Sequence, residues 1–322
     1  MSSESLVVYR ELSIRYGELV AVDGIEFEVT RGEMFGLIGP DGAGKTSTLR
    51  AALGLVRPAG GTVETCGLDP RRERRLLAQQ VGYLSQRFSL YGDLSVDENL
   101  AFFAAIHHVS DWRRRRDELL ELVRMTPFRK RLADRLSGGM KQKLALACTL
   151  IHSPRMLLLD EPTTGVDPVS RRDFWQLLGR LRREGLTLLL TTPYLDEAER
   201  CQRVALMHRG KLLAVDRPEA VRSSVAGWVV EVVARPRAAA ARHLRQHPAV
   251  SQVETFGERL HVSIAATSRA AAEGVAGDLG RSLAEAGLEP STLRTFRPSL
   301  EDVFITLIRR AESDDGQERE VA

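Results

Sequence analysis

Apolar and polar residues alternate through LVVYRELSIRY and VDGIEFEVT, with turns at Gly17 and Gly24, so residues 1–30 read as strands. MFGLIG follows as a continuous apolar run, the pattern of a strand buried on both faces. It leads through PDGAGKT into a helix over STLRAALGL, closed at Gly54 or at Arg57-Pro58. Residues 61–66 and 81–86 read as further strands. From about 95 to 150 the period becomes helical, with Asp93 or Ser95 capping ENLAFFAAIHH and Asp111 capping WRRRRDELLELVRM. RMLLLDEP and LTLLLTT return to strands, with a helix (Pro168–Glu184) between them, and VALMHRG and KLLAVD read as a closing hairpin around Gly210. Strands alternating with helices, buried apolar strands among them, predict an α/β fold with a mostly parallel sheet covered on both sides.

Past Asp216-Arg217-Pro218 the composition shifts. WVVEVVA, an Ala-rich helix, SQVETFG, RLHVSIA, a helix across 268–286, a strand near 291–297 and a final helix from Leu300 follow in order. This βαββαβ-like order predicts a small C-terminal α+β domain with a ferredoxin-like sheet. The expected division is 1–216, 217–310 and a polar, disordered tail at 311–322.

Composition narrows the function classes. Apolar residues make up 43% and charged residues 28%, a globular balance. Basic residues (41 Arg and 5 Lys) against 43 acids leave a formal charge of +3, too weak a field to argue for nucleic acid as a partner. Cys66, Cys148 and Cys201 are far apart and form no CxxC, which fits a reducing compartment and argues against a zinc site or a disulfide framework. Apolar runs such as Leu144–Leu150 and Leu186–Leu190 fall far short of the ~20 residues that cross a bilayer. MSSESLVVYR lacks the basic-then-apolar order of a secretion signal. The expectation is a soluble cytoplasmic chain, held at a membrane only through another protein. Arg71–Arg75 and Arg113–Arg116 are read as solvated helix faces rather than contacts with acidic lipid or nucleic acid, since Glu73, Asp117 and Glu118 offset part of each charge. His243, His247 and His261 are read as ordinary surface or strand histidines in preference to metal ligands.

The chemistry concentrates in two strings. Gly39-Pro40-Asp41-Gly42-Ala43-Gly44-Lys45-Thr46 fits GxxxxGK[ST] and lies between a buried strand and a helix, with Ser47 next. Glycines let the backbone wrap around phosphates, and successive N–H groups and the helix N-terminus face the anion. Lys45 brings a mobile positive charge to the outer phosphates, and the Thr46 hydroxyl can coordinate Mg²⁺. The second string, MLLLDE, is an apolar strand ending in Asp160 and Glu161 at the sheet edge where ligands sit. Asp160 can hold Mg²⁺, directly or through water, and Glu161 can accept a proton from an attacking water.

Leu136-Ser137-Gly138-Gly139-Met140-Lys141-Gln142 stands 23 residues before Asp160, counted from Ser137. LSGGxxQ followed by a helix and an acid strand resembles the signature of the ATP-binding-cassette (ABC) superfamily, over roughly residues 6–215. The resemblance implies a P-loop nucleotide-binding domain with an antiparallel N-terminal subdomain and a helical signature subdomain. It implies ATP and Mg²⁺ as ligands. Two chains would close head-to-tail over two ATP molecules, with Ser137, Gly138, Gly139 and Gln142 of one meeting the γ-phosphate held by the other. Tyr16, before AVDG, resembles the aromatic that stacks on adenine, with a place in a small strand core as the alternative. Gln86 resembles the Q-loop glutamine that touches Mg²⁺ or the attacking water. Asp167, in GVDP, resembles the aspartate bridging the protomers and also reads as a helix N-cap before Pro168. Pro193 departs from the pattern: it stands where the family usually has a switch histidine, and a proline ring has no side-chain donor for the γ-phosphate. Asp41 is a milder departure, since Asn is common there.

SLYGDLSVDENL, TTPYLDEAERC and SLEDVFITLIRR look like the drug- and polysaccharide-exporting branch served by separate type-2 permeases. That resemblance implies an ATPase subunit on the inner face of the plasma membrane, paired with a second protomer, a homodimer by expectation. The permease would dock near Phe88, Leu90 and Tyr91, for which core packing is the alternative. Two other classes compete: a soluble ABC switch in translation or DNA maintenance, and a regulatory scaffold with weak hydrolysis, which Pro193 keeps open.

Overall fold

The computed structural model describes residues 4–86, 89–288 and 290–321, with side chains as far as Ser313. The chain divides into two compact units at Pro218/Glu219.

The first unit opens with β1 (Ser5–Tyr16), β2 (Leu19–Thr30) and β3 (Met34–Ile38), then α1 (Lys45–Ala52) and β4 (Gly60–Thr65). Next come α2 (Arg74–Gln80), β5 (Val81–Leu84), α3 (Val96–Ile106), α4 (Trp112–Leu122) and α5 (Gly138–Leu150). β6 (Met156–Asp160), α6 (Pro168–Arg183), β7 (Thr187–Thr192), α7 (Leu195–Ala198), β8 (Arg203–His208) and β9 (Lys211–Asp216) complete it. β1, β2 and β4 form a three-stranded antiparallel sheet in the order β2-β1-β4. The other six form a sheet in the order β5-β6-β7-β3-β8-β9, parallel except for β8 against β9. β3, β6 and β7 are buried at every position, which explains their unbroken apolar runs. Between the sheets Tyr9, Phe27 and Phe35 stack at 4.5 and 5.1 Å in a core shared with Leu49 of α1. Arg209 and Gly210 both have positive φ (45° and 82°), the turn geometry that matches hairpin twist.

Local chemistry sets the helix starts. Ser95 caps α3: its hydroxyl accepts from Glu98 N while the Glu98 carboxylate accepts from Ser95 N, a full capping box. Asp93 does not take that role. Asp111 stands at the N-cap position of α4 without capping it, because its carboxylate pairs with Arg114 instead.

The second unit begins beside the short α8 (Pro218–Ser223) and contains β10 (Trp228–Ala234), α9 (Arg237–Arg245), β11 (Val250–Phe256), β12 (Arg259–Ile264), α10 (Arg269–Glu285), β13 (Pro290–Phe296) and α11 (Leu300–Val321). Its sheet is antiparallel in the order β11-β12-β10-β13, the ferredoxin-like arrangement. Val230, Val232, Leu260 and Val262 join Leu244, Leu279 and Leu283 of the helices in its core. α11 runs to Val321, through the residues expected as a disordered tail from 311. The helix is anchored at its start by buried Leu300, Val303 and Phe304.

Candidate active site

β3, β7 and β6 lie side by side and parallel, so their C-terminal ends share one edge of the sheet. The glycine-rich loop leaves β3 there and enters α1. Gly44 sits at φ 103°, and a Cβ on it would lie 2.3 Å from the Ala21 carbonyl oxygen, so only glycine fits. At Gly39 a Cβ would meet the Met207 carbonyl at 2.2 Å. Pro40, Asp41 and Gly42 are exposed and Ala43 is buried, so the loop presents its tip to solvent.

Lys45 is 4% exposed, with its Nζ donating to the Gly39 and Pro40 carbonyls at 2.8 and 3.0 Å. The same ammonium lies 3.2 Å from Glu161 Oε1. Glu161 Oε2 accepts from Gln86 Nε2 at 3.0 Å and from Thr164 Oγ1 at 3.3 Å. Thr46 Oγ1 donates to Asp160 Oδ1 at 2.8 Å. Asp160 Oδ2 accepts from the Tyr83 hydroxyl at 3.4 Å, and burial, followed by the Asp160 charge, raises the Tyr83 pKa. Thr46, Asp160, Glu161 and Gln86, distant in sequence, thus form one connected cluster with Lys45. A buried carboxylate beside a hydroxyl, with a side-chain amide close by, is a hard oxygen set of the kind Mg²⁺ favours.

At the entrance, Tyr16 is 47% exposed and its hydroxyl lies 3.3 Å from Ser47 Oγ. The ring, at the end of β1 with its hydroxyl beside the start of α1, is exposed rather than committed to a strand core. Ser137 and Gly138 are exposed at the start of α5, where Ser137 Oγ accepts from Met140 N at 3.3 Å. A Cβ on Gly139 would be 2.3 Å from Ser170 Oγ, so its role is close packing against α6. Gln142 is 4% exposed, so this conformation does not offer it to a ligand. Asp167 caps α6 by accepting from Val169 N and Ser170 N at 3.1 and 3.0 Å, and the Ser170 amide leads in lowering its pKa. Leu90 is half-buried, and Tyr91, 45% exposed, packs on Phe102 at 4.4 Å. Phe88 lies outside the described residues.

The family model described as ABC transporter matches residues 22–164, which spans the glycine-rich loop, the signature string and both acids. The daunorubicin resistance ATP-binding protein DrrA3 of Streptomyces coeruleorubidus is 35% identical, over 96% of each chain. This chain belongs to the ABC transporter family. The probable multidrug ABC transporter ATP-binding protein YbhF of Escherichia coli K12 is 46% identical over 209 residues, 64% of this chain and 36% of YbhF. The chain therefore matches little more than a third of that relative's length. A solved structure described as the ATP-binding subunit of an ABC transporter superposes with a TM-score of 0.62 at 29% identity, covering 68% of this chain and 92% of that one.

Two further residues of this ABC fold support the site. Thr191, on the strand between the loop strand and the acid strand, donates to Asp160 Oδ1 at 2.9 Å and accepts from Glu161 N at 2.9 Å. The signal was a pair of hydroxyl residues closing an otherwise apolar strand, TLLLTT. Glu197 is fully buried and accepts from four side chains; nothing in its string marks it as buried. The remaining candidates have partners of their own. His243 contacts Ser282 Oγ at 2.7 Å, His261 contacts Asp302 at 2.8 Å, and His247 Nδ1 accepts from Ala249 N. Among the described residues no three His, Cys, Asp or Glu side chains gather as a metal site. Arg113 and Arg114 are exposed, Arg114 pairing with Asp111 and Glu118, whereas Arg115 and Arg116 are half-buried, Arg115 pairing with Glu118 and Arg116 with Asp97 and Asp117, so only the first part of the run is a solvated face. Among the described residues no helix is long and apolar enough to cross a membrane.

Proposed function

We propose that the protein is the ATP-hydrolysing subunit of an exporter, driving substrate through a separate type-2 permease on the inner face of the plasma membrane. One observation carries this reading: Lys45, Glu161, Gln86, Thr46 and Asp160 converge at one sheet edge beside a glycine loop open to solvent. Loop amides and Lys45 bind the phosphates, Tyr16 stacks on the adenine, and Glu161 takes the proton of the attacking water while Gln86 orients it. Thr46, Asp160 and Gln86 would hold Mg²⁺, which supplies charge neutralisation for the phosphates. The exposed Ser137 and Gly138 serve a second protomer, so that ATP joins two chains head-to-tail. ATP binding that favours the closed pair by a few kcal/mol is enough to reverse the populations. The names of the relatives, multidrug transporter and daunorubicin resistance, favour drug or lipophilic cargo and outward transport.

The test is the oligomeric state of the full chain carrying Glu161→Gln. With saturating MgATP and its permease in detergent or nanodiscs, the variant should run as a closed pair and release no phosphate. A monomer under those conditions removes the composite site. Tyr91→Ala should weaken copurification of the permease while ATP affinity holds; an unchanged pull-down takes Tyr91 out of the interface.

A further inference from the structure

We propose that Glu197 is a positioning residue for hydrolysis, acting through Thr163 on the turn that carries Glu161. The proposal rests on the assignment of Glu161 as the base.

Glu161 has φ 47°, in the left-handed region where a residue with a Cβ is strained. Such a conformation persists only if the surroundings hold it. The turn that follows is closed by Thr164 N donating to Glu161 O and Val166 N donating to Thr163 O, both at 3.2 Å. Its outer anchor is the Thr163 hydroxyl, which donates to Glu197 Oε1 at 2.5 Å with both residues buried. The same carboxylate oxygen accepts from Arg171 Nε at 2.6 Å and Trp175 Nε1 at 2.9 Å on α6. Oε2 accepts from Thr192 Oγ1 at 2.6 Å.

One buried carboxylate therefore joins three segments: the base-bearing turn, the end of β7 and the helix begun by Asp167. Thr192 is flanked by Thr191, which holds Asp160 and the Glu161 amide, and by Pro193. The switch segment is locked further by Tyr194 N donating to Thr192 Oγ1 at 3.1 Å. The Arg171 guanidinium lies 4.4 Å from the Tyr194 ring and binds both Asp196 oxygens at 3.0 Å. With no histidine at 193, this segment reaches the reaction through how firmly it fixes Glu161. Glu197 touches no phosphate-loop residue directly and reaches the loop only through Thr192, whose carbonyl accepts from Gly39 N at 3.3 Å. The Thr163 hydroxyl bonds Glu197 rather than the loop, so its loss should spare nucleotide binding.

The experiment compares Thr163→Val, Thr163→Ser and Glu197→Gln with Ser95→Ala, a capping-box loss on α3 that matches the loss of stability. Phosphate release gives kcat and KM in the full chain with its permease, and titration with a non-hydrolysable ATP analogue gives affinity. Thr163→Val should lower kcat about ten- to hundredfold, the range expected when a catalytic group is misplaced by a fraction of an ångström to an ångström. KM and analogue affinity should stay within about twofold, since no binding group is touched. Thr163→Ser restores the hydroxyl and should recover most of the rate, Glu197→Gln should lower kcat in the same direction, and Ser95→Ala should leave kcat alone. The titration also counts binding sites, and kcat is taken per site: wild-type kcat per site in Thr163→Val, or a fall in turnover matched by an equal fall in the number of analogue-binding sites, overturns the proposal. Glu161→Gln runs alongside: if it turns over at the wild-type rate, the base assignment fails rather than its positioning.

Discussion

Lys45 has an anionic partner within the fold, and that fixes the sign of what Glu161→Gln does to binding. The ammonium and carboxylate lie 3.2 Å apart with side chains only 3% and 7% exposed. For Lys45 to take a phosphate, this pair must loosen. A charge-assisted hydrogen bond contributes about 1.5–3 kcal/mol net, about twice a neutral one. Gln at 161 keeps an amide oxygen for Lys45, and the Gln86 amide can turn over to present its oxygen, so the loss is confined to the charge. The difference is about 1–1.5 kcal/mol, or about tenfold in affinity. Glu161→Gln should therefore bind a non-hydrolysable triphosphate about tenfold more tightly than wild type. The ligand-free protein should be less stable by the same ~1–1.5 kcal/mol, so the ligand-induced rise in Tm should grow. Calorimetric titration at protein concentrations that keep single protomers separates this from trapping of a closed pair. Because the pair is buried, the effect should survive moderate salt. Wild-type affinity together with unchanged ligand-free stability would refute the reasoning.

Three further outcomes follow from particular contacts. Thr191→Val keeps the volume but removes the donor to Asp160 and strands the Glu161 amide, so urea denaturation should show a loss of about 2–4 kcal/mol, with slower phosphate release. His152 stacks on His107 with centroids 3.9 Å apart, and burial, followed by the charge of His107, pulls its pKa down from 6.5 to about 4. The fold keeps that ring neutral while the unfolded chain protonates it below pH 6.5, so stability is lost as pH falls from 6.5 towards 4. Between pH 7.5 and 5 the loss should be about 1 kcal/mol after screening of a partly exposed ring, and His152→Gln should flatten that slope in thermal melts. Pro193→His supplies a γ-phosphate donor and should raise kcat by about tenfold or more, checked by steady-state phosphate release; equal or slower turnover would show that the position no longer faces the phosphate.

The glycine loop, the two acids and the signature string were legible because each is a contiguous run with its own local physics. The same holds for the Ser95 cap and the hairpin at Gly210. Thr191 and Glu197 were not legible, because their importance depends on strand order. Nothing local in TLLLTT says that β7 lies between β3 and β6, and only that placement puts the Thr191 hydroxyl against Asp160. The Lys45–Glu161 pair is hidden for the same reason. Asp111 misled because a short acid at a helix start satisfies Arg114 as readily as a backbone amide.

The position of β7 also sets when the site can come into being during synthesis. Every backbone ladder joining the loop strand to the acid strand runs through residues 187–192. A nascent chain that has emerged only as far as Glu161 holds both chemical strings and has nothing to align them. Such long-range parallel pairings form late and slowly. Competence for nucleotide therefore cannot precede the emergence of Thr192 from the ribosome, and ribosome-bound fragments that stop short of it should emerge without it.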